Sequence, residues 1–355
     1  MVAARRPRRP STTAPSCAPP AAAPATGPRP VAWTGTSVRL LDQTRLPDQL
    51  ADVDVHRVDD LVDAVRRLAV RGAPALGIAG AYGVALAIVQ AAREGWDGSA
   101  FTAAVGRLRA ARPTELALTL GVDAAYAVVD DGLDAVVAVG HALADADEQA
   151  NRAIGRHGAD WIVARLGDRP LRMLTHCNTG ALATAAWGTA LGIIRELHAR
   201  GRVELVYVDE TRPLLQGSRL TAWELAQAGI DYRIQVDGAA AGTIVGGLVD
   251  VAVVGAERIA ANGDVANKVG TLGVALACAH AGVPFVVAAP ASTVDDSLVS
   301  GALIPIERRD DAEVTAWAGR RVAPPGARAH NPAFDVTPAG LVSALVTEHG
   351  IVLRS

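Results

Sequence analysis

The second half of the chain alternates short apolar strands with helices, and this alternation constrains the fold more than any other feature. The predicted strands cover residues 171–175, 203–208, 233–236, 249–254 and 284–289. The main predicted helices cover residues 182–200, 220–228 and 265–281, with a small one before the fourth strand. Strands joined by helices pair in parallel, and a parallel sheet needs helices on both faces. We therefore predict an α/β chain with a Rossmann-like parallel-sheet C-terminal domain.

Changes of composition divide the chain into three parts. Residues 1–30 hold eight prolines, five arginines and no acidic residue, which predicts a disordered tail; a transit peptide or a misassigned start codon would look similar. Residues 31–150 begin with two short strands, at 31–33 and 38–41, and continue with alanine-rich helical segments. We expect a smaller, mostly helical N-terminal domain there and the Rossmann-like domain over residues 151–355.

Composition argues against several classes of partner. The net charge of -3 offers no basis for binding nucleic acid. The weakly polar stretch 77–92 is mostly alanine and glycine and is too short for a membrane span, so we predict a buried helix. Three cysteines without CxxC spacing argue against a disulfide framework and fit a reducing cytoplasm. We expect a cytoplasmic protein with no nucleic-acid and no membrane partner.

The sequence also lacks the common metal and nucleotide motifs. Its eight histidines include no HxxxH or HExxH pair, and no carboxylate cluster has the spacing of a metal loop. Neither a GxGxxG fingerprint nor a GxxxxGK[ST] loop is present. We expect no metal site and no cofactor.

Polar clusters follow the predicted strands, where ligands bind in open α/β sheets. They are HCNTG at 176–180, DETR at 209–212 and GAER at 255–258. Lys268 is the only lysine among 34 basic residues and is predicted in the first turns of the helix at 265–281. Its compact ammonium suits a phosphate or sugar oxygen, although an isolated lysine is more often solvated. Arg71 with Gly72 and Ala73, just before a helical stretch, forms a second candidate anion site.

Several long motifs occur in an order that resembles one family. They are LDQTRLP at 41–47, VRGAPALG at 70–77, HCNTGALAT at 176–184, ETRPLLQGSRLTAWEL at 210–225, NGDVANKVGT at 262–271 and NPAFDVTPA at 331–339. The chain thereby resembles the methylthioribose-1-phosphate isomerase family, whose relatives include other pentose-phosphate isomerases and regulatory subunits of the translation initiation factor exchange complex. The resemblance implies a homodimeric isomerase of a small pentose 1-phosphate.

The resemblance also implies roles for particular residues. Substrate binding falls to Arg71, Gly72 and Ala73 as a phosphate loop, to Arg112 as a second contact, and to Gln216, Asn267 and Lys268. Cys177 matches the family's essential cysteine, and Glu257 stands where the family has an acidic aspartate. A second departure follows Arg112, where this chain reads ELAL at 115–118 in place of small residues and an asparagine.

The chemistry of a pentose 1-phosphate explains why such residues are needed. Its anomeric oxygen is esterified, so the ring cannot open as a free hemiacetal does. A carboxylic acid can protonate the ring oxygen, after which a second group manages the transfer of hydrogen between C2 and C1. Glu257 is the candidate acid, and Cys177 acts as the base or stabilises the transition state. Enolate and hydride-shift routes both remain open.

Each candidate also has a structural interpretation. Cys177 could be a small buried hydrophobe, as we expect for Cys278. Arg71 and Arg112 could form surface ion pairs. His176 beside the cysteine is predicted to be structural, since neighbours on a strand point to opposite faces. Asp264 is a rival carboxylate, for which capping of the following helix or binding of a substrate hydroxyl is favoured.

Three functions follow in order of preference. The first is conversion of 5-methylthioribose 1-phosphate to 5-methylthioribulose 1-phosphate in methionine salvage. The second is the same reaction on 5-deoxyribose 1-phosphate or a related 5-substituted sugar. The third is a non-catalytic regulatory role, against which the retained HCNTG and ANK segments argue.

Overall fold

The N-terminal half combines a small antiparallel sheet with five helices. In the computed structural model, which describes residues 27–352, the sheet consists of β1 (Val31–Trp33), β2 (Val38–Leu41) and β3 (Asp52–Val55). The helices are α1 (Val58–Arg66), α2 (Ala73–Glu94), α3 (Gly98–Arg109), α4 (Leu116–Tyr126) and α5 (Leu133–Leu166). The two predicted strands are confirmed. Of the predicted disordered tail at residues 1–30, residues 1–26, with Cys17, lie outside the described residues. Residues 27–30 are described, and the Pro30 carbonyl accepts a hydrogen bond from the Leu41 amide at 3.0 Å.

Helix α2 forms the centre of the N-terminal core. Among the helices within residues 27–352 it alone is long and apolar enough to cross a membrane, and 78% of its most apolar window is buried against the rest of the fold. Its alanines and glycines allow close packing against α4 and α5. The prediction of a buried helix over 77–92 is confirmed.

A seven-stranded sheet organises the C-terminal half. Its strands are β4 (Leu171–Thr175), β5 (Val203–Asp209), β6 (Tyr232–Gln235), β7 (Val251–Val254), β10 (Phe285–Ala288), β15 (Ala344–Thr347) and β16 (Gly350–Val352). All pair in parallel except β16, which runs antiparallel to β15. The connecting helices are α6 (Ala190–Ala199), α7 (Ala222–Gln227), α8 (Ala240–Val245) and α9 (Thr271–Ala281). The predicted mixed α/β fold with a parallel sheet is confirmed.

The strand order determines where a ligand can bind. The sheet reads β16-β15-β10-β7-β4-β5-β6, so the chain builds outward from β4 to β6 and then returns to β7 on the other side. The reversal lies between β4 and β7, and a crevice opens beyond the carboxyl ends of strands at such a switch point. The segments that follow these two strands are 176–180 and 255–258.

The helix predicted at 182–200 is shorter than expected. Residues Ala181–Ala183 form a single 3-10 turn, and the α-helix begins only at Ala190. Gly188 has φ +92 and pairs with Gly180, so the intervening segment folds into a loop. The alanines of this loop favour a helix, but tertiary packing overrides that local preference.

The helix predicted at 265–281 is wrong in its first turns. Val265–Lys268 is a strand, β9, and the helix begins at Thr271 after Gly270 at φ +107. β9 belongs to a second, four-stranded sheet with β8 (Arg258–Ala260), β11 (Val294–Asp295) and β14 (Phe334–Thr337), in the order β11-β8-β9-β14. Lys268 therefore lies at the end of a strand. A short helix, α10 (Ala312–Thr315), and the hairpin of β12 (Ala316–Trp317) and β13 (Arg320–Arg321) complete the described elements.

Helix α5 passes through the predicted domain boundary at residues 150/151 without a break. Val136 in its first half packs in the N-terminal core, whereas Ile154 and Ile162 in its second half pack against the seven-stranded sheet. The two halves of α5 therefore belong to different hydrophobic cores. The exact division into domains remains a prediction.

Candidate active site

A cleft lies beyond the carboxyl ends of β4 and β7 and encloses about 870 Å³ of empty space, part of it open to solvent. All nine residues singled out in the sequence line it. They are Arg71, Gly72, Ala73, Arg112, Cys177, Gln216, Glu257, Asn267 and Lys268. The structure brings them together from both halves of the chain, over nearly 200 positions of sequence. Their individual roles remain predictions.

Cys177 has an unusual backbone conformation immediately after β4. Its φ is +67, in the left-handed region that non-glycine residues seldom adopt, and its side chain is buried. Two threonine hydroxyls hold this conformation: the Cys177 amide donates to Oγ1 of Thr211 at 2.9 Å, and Oγ1 of Thr221 donates to the Cys177 carbonyl at 2.6 Å. Such strain at a cleft residue is typical of a functional site.

His176 is not among the residues that line the cleft, and it forms a buried ion pair with Asp209. Its Nδ1 lies 2.9 Å from Oδ2 of Asp209, and its Nε2 lies 2.9 Å from the carbonyl oxygen of Val269. Both partners are acceptors, so both ring nitrogens donate and the ring is a cation. Burial lowers the pKa of His176, but the hydrogen bond and the charge of Asp209 outweigh that effect, so the pKa is raised above its ordinary value. The geometry supports the predicted structural role, in which His176 anchors the turn carrying Cys177.

The phosphate loop predicted at 71–73 lies at the N-terminus of α2. Gly72 has φ +92, and a Cβ there would lie 2.3 Å from the carbonyl oxygen of Ala183, so no other residue fits. No side chain among residues 27–352 caps this helix end, which leaves its first amides for a ligand. Arg71 donates from Nη1 to the carbonyl of Asn178 at 3.0 Å and from Nη2 to that residue's side-chain oxygen. Burial lowers the pKa of Arg71, and no carboxylate in the described part of the chain contacts its guanidinium.

Lys268 is a second buried cation that forms no ion pair with any residue the structure describes. Its side chain is 7% exposed, and its Nζ lies 5.1 Å from the centre of the Phe334 ring. Burial lowers the pKa of Lys268, which the charges of Cys177 and Glu257 oppose. Within residues 27–352, Nζ makes no ion pair and no conventional hydrogen bond. An anion bound in the cleft would therefore favour the charged form of the lysine.

Three cleft side chains have buried polar atoms without a hydrogen-bond partner among the described residues. These atoms are Nε of Arg71, Oγ1 of Thr179 and Oε1 of Gln216. Gln216 directly precedes a π-helical turn at Gly217–Thr221, an irregularity found at many functional sites. Unpaired polar atoms in a cleft favour a polyhydroxylated ligand, because an unsatisfied buried group costs about 1–3 kcal/mol.

Arg112 lines the cleft as predicted, but its guanidinium already holds two carboxylates. Nη2 lies 2.7 Å from Oε2 of Glu307, and Nη1 lies 3.1 Å from Oε1 of Glu115. Glu307 is bound in turn by Arg309 at 2.9 Å, which also lines the cleft. Sequence reasoning did not select Glu115, Glu307 or Arg309. The altered residues after Arg112 were the only available signal, and they pointed to Glu115.

Other candidates lie outside the cleft. Asp264 accepts hydrogen bonds from the amides of Gly301 and Ala339, each the first residue of a 3-10 turn, so it caps these turns and not the following helix. Cys278 lies on α9 and is buried in the hydrophobic core, as predicted, and this burial raises its pKa to about 12.

One cluster among the described residues has a metal-like geometry. Ligand atoms of His176, Asp209 and Asp237 lie within 4.8 Å of one another. However, Asp237 accepts from the amides of Thr211 and Arg212 at 2.7 and 2.6 Å, and Asp209 accepts from His176. These contacts stabilise the loop after β5, which accounts for the close approach of the three side chains.

Comparison with known proteins places the chain in a family. Residues 69–353 match the model of the initiation factor 2 subunit family. The chain belongs to this family. It is 50% identical, over 90% of its length and 93% of the relative's, to methylthioribose-1-phosphate isomerase of Alkalilimnicola ehrlichii. It is 51% identical to a probable bifunctional methylthioribose-1-phosphate isomerase/methylthioribulose-1-phosphate dehydratase of Nocardia farcinica, of whose length it spans 58%.

Solved structures agree with these sequence relationships. The crystal structure of 5-methylthioribose 1-phosphate isomerase from Pyrococcus horikoshii superposes with a TM-score of 0.83 at 36% identity, covering 92% of this chain and 93% of the other. Subunit delta of translation initiation factor eIF-2B from A. fulgidus superposes with a TM-score of 0.81 at 38% identity, covering 92% and 96%. The resemblance seen in the sequence motifs is confirmed. The isomerase and the eIF-2B subunit share the fold of this chain, although they carry different names.

Proposed function

We propose that the protein is an aldose–ketose isomerase that converts 5-methylthioribose 1-phosphate to 5-methylthioribulose 1-phosphate, a step of methionine salvage. The observation that supports this most directly is a pair of buried cations, Arg71 and Lys268, that no carboxylate of residues 27–352 contacts. They lie beside Cys177 and Glu257 in one cleft. Relatives 44–51% identical bear the name of this isomerase. A regulatory subunit would have no need for a strained cysteine and unpaired cations in a sugar-sized cleft.

The geometry suggests how the reaction would proceed. The phosphate would lie between Lys268, Arg71 and the free amides at the start of α2, where two positive charges and a helix N-terminus act together. Glu257 would protonate the ring oxygen as the bond from C1 to that oxygen breaks. Cys177 would then face C1 and C2 during hydrogen transfer, either as base or as a group that stabilises the transition state.

A panel of sugar phosphates that differ only at C5 tests the proposal. Purified protein should convert 5-methylthioribose 1-phosphate faster than 5-deoxyribose 1-phosphate or ribose 1-phosphate, with the ketose product identified by NMR. Cys177→Ala should abolish turnover, whereas Cys278→Ala, a matched change of a buried cysteine outside the cleft, should preserve it. Absence of turnover on every sugar would favour a regulatory role, and preference for the deoxy sugar would favour the second candidate substrate.

The remaining expectations belong to the same proposal. We infer that the enzyme is a cytoplasmic homodimer that needs neither metal nor cofactor. Sedimentation velocity measures the oligomeric state, and activity after exhaustive chelation tests the requirement for a metal.

A further inference from the structure

Among residues 27–352, the hydrogen-bond acceptors of the Arg71 guanidinium both belong to Asn178, a neutral residue. Nη1 donates to the Asn178 carbonyl at 3.0 Å, and Nη2 donates to its side-chain oxygen. Each of these two nitrogens keeps a second N–H for a ligand. Asn178 is 1% exposed and directly follows Cys177, so one turn carries both the cysteine of the cleft and the support of the arginine.

The other partners of Asn178 fix the orientation of its side-chain amide. Nδ2 donates to Oε1 of Glu224 at 2.9 Å and to Oγ1 of Thr221 at 3.1 Å. The Thr221 hydroxyl uses its hydrogen in the bond to the Cys177 carbonyl, so its oxygen can only accept from Asn178. Both N–H groups of the amide are thereby used, and the amide oxygen has to face Arg71. An inverted amide would bring N–H groups against the guanidinium, donor against donor.

Glu224 is a buried carboxylate surrounded by donors. It is 1% exposed, and besides Asn178 it accepts from the Ala181 amide at 2.8 Å and from Nη2 of Arg195 at 3.1 Å. These partners are all N–H donors, which suits an ionised carboxylate, since its oxygens can only accept. A Cβ at Gly180 would lie 2.3 Å from Oε1 of Glu224, so glycine is needed for this close approach. The carboxylate is therefore fixed against the turn that follows β4.

We propose that Glu224 is a positioning residue that acts through Asn178: it fixes the Asn178 amide, which holds the Arg71 guanidinium at the phosphate site without neutralising it. The inference rests on the proposed function, in which Arg71 binds the substrate phosphate. A carboxylate in direct contact with Arg71 would compete with the phosphate for the same N–H groups. The neutral amide supplies the hydrogen bonds and keeps the carboxylate one side chain away, which weakens its attraction for the cation. Burial lowers the pKa of Arg71, and the charges of Cys177 and Glu224 oppose that effect without direct contact.

The kinetic test uses Glu224→Gln, which keeps the size of the side chain and removes the charge that fixes the amide. KM for the pentose 1-phosphate should rise about tenfold with a smaller fall in kcat, since the phosphate is bound in substrate and transition state alike. Asp250→Asn is the matched control, because Asp250 also accepts from a backbone amide and from arginines but precedes β7, at the end of the sheet opposite the cleft. Both variants should lose stability, and the control should keep the wild-type KM. A folded Glu224→Gln variant with the wild-type KM would overturn the proposal.

An exchange of charge between the two side chains tests the proposal without the isomerase reaction. Asn178→Asp combined with Glu224→Gln keeps the net charge and a hydrogen bond between the two positions, but it brings the carboxylate into contact with Arg71. Affinity for inorganic phosphate, measured by calorimetry, should fall about tenfold or more. In an Arg71→Gln background, which keeps an N–H donor and removes the charge, the same exchange should have a much smaller effect.

The phosphate measurements separate the positioning role from the isomerase assignment. Unchanged phosphate affinity after the exchange, an equal loss with and without the arginine, or no binding of phosphate by the wild-type protein in the millimolar range would each refute the positioning role. The expected pattern in a protein that turns over no pentose 1-phosphate would instead retain the positioning role and refute the isomerase assignment. If the exchanged variant does not fold, the KM comparison of Glu224→Gln with Asp250→Asn decides.

Discussion

Replacing Lys268 by methionine should weaken the enzyme and stabilise its fold. The substitution keeps an unbranched stem of similar length beside Phe334 and removes only the ammonium. That group is buried, with 7% of the side chain exposed, and no carboxylate contacts it among residues 27–352. Stability and activity should therefore change in opposite directions, which few substitutions of a merely structural lysine would produce.

The expected loss of activity follows from the proposed phosphate contact. A hydrogen bond to a charged group contributes about 1.5–3 kcal/mol, and about 1.4 kcal/mol corresponds to tenfold, so kcat/KM should fall by about 10- to 150-fold. Lys268→Arg should restore little of this loss, because the guanidinium is wider and the site is closed.

The gain in stability has a defined dependence on pH. Burial lowers the pKa of Lys268 below the 10.5 of the unfolded chain, so the folded state binds fewer protons between the two values. Wild-type stability therefore rises with pH through that window, whereas the methionine variant lacks this dependence. The variant should be more stable at pH 7, by on the order of 1 kcal/mol, and the difference should shrink toward pH 10.5.

Two measurements check these expectations. Steady-state kinetics on the preferred pentose 1-phosphate give kcat/KM, and thermal melting between pH 6 and pH 10 gives the difference in stability. A methionine variant with wild-type kinetics would show that Lys268 does not contact the substrate. A variant that is less stable at pH 7 would show that the ammonium has a stabilising partner, and the argument from burial would be wrong.

Three further predictions concern the rest of the site. Glu257→Gln should lower kcat by about a hundredfold or more with the melting temperature unchanged, and Glu257→Asp should also be slower than wild type, since a displacement of about 1 Å can cost a hundredfold; full activity of the glutamine variant would eliminate Glu257 as the acid. Asp209→Asn should destabilise the fold by about 3–5 kcal/mol, because it breaks the buried ion pair with His176. Asp209 raises the pKa of His176, so the stabilisation from this pair should be full below pH 6.5 and decline as the pH rises through the raised pKa. Denaturant melts at pH 6 and pH 9 measure the loss of stability, and equal losses at both pH values would contradict an ionised His176. Exhaustive chelation should leave the rate unchanged, and inactivation that added zinc or magnesium reverses would disprove a metal-free mechanism.

Much of the architecture follows from local patterns in the sequence. Strands such as Phe285–Ala288 are short apolar runs, and their alternation with helices permits little besides a parallel sheet. The family resemblance indicated the nine predicted site residues, and all of them line the cleft. Among them, Cys177 and Glu257 lie just after β4 and β7, where a switch-point topology gathers ligand-binding residues. Lys268 was conspicuous as the only lysine of the chain.

Tertiary structure alone determined the features that depend on contacts distant in sequence. Val265–Lys268 pairs with β8 and β14 and so became a strand, because cross-strand pairing outweighs the preference of an apolar segment for a helix. The left-handed conformation of Cys177 is held by two threonines on later segments, which no pattern around residue 177 reveals. The pairing of Arg112 with both Glu115 and Glu307 likewise depends on how the N-terminal helices dock against later segments. Glu115 and Glu307 are 192 positions apart in sequence, so no local pattern predicts that one guanidinium binds both.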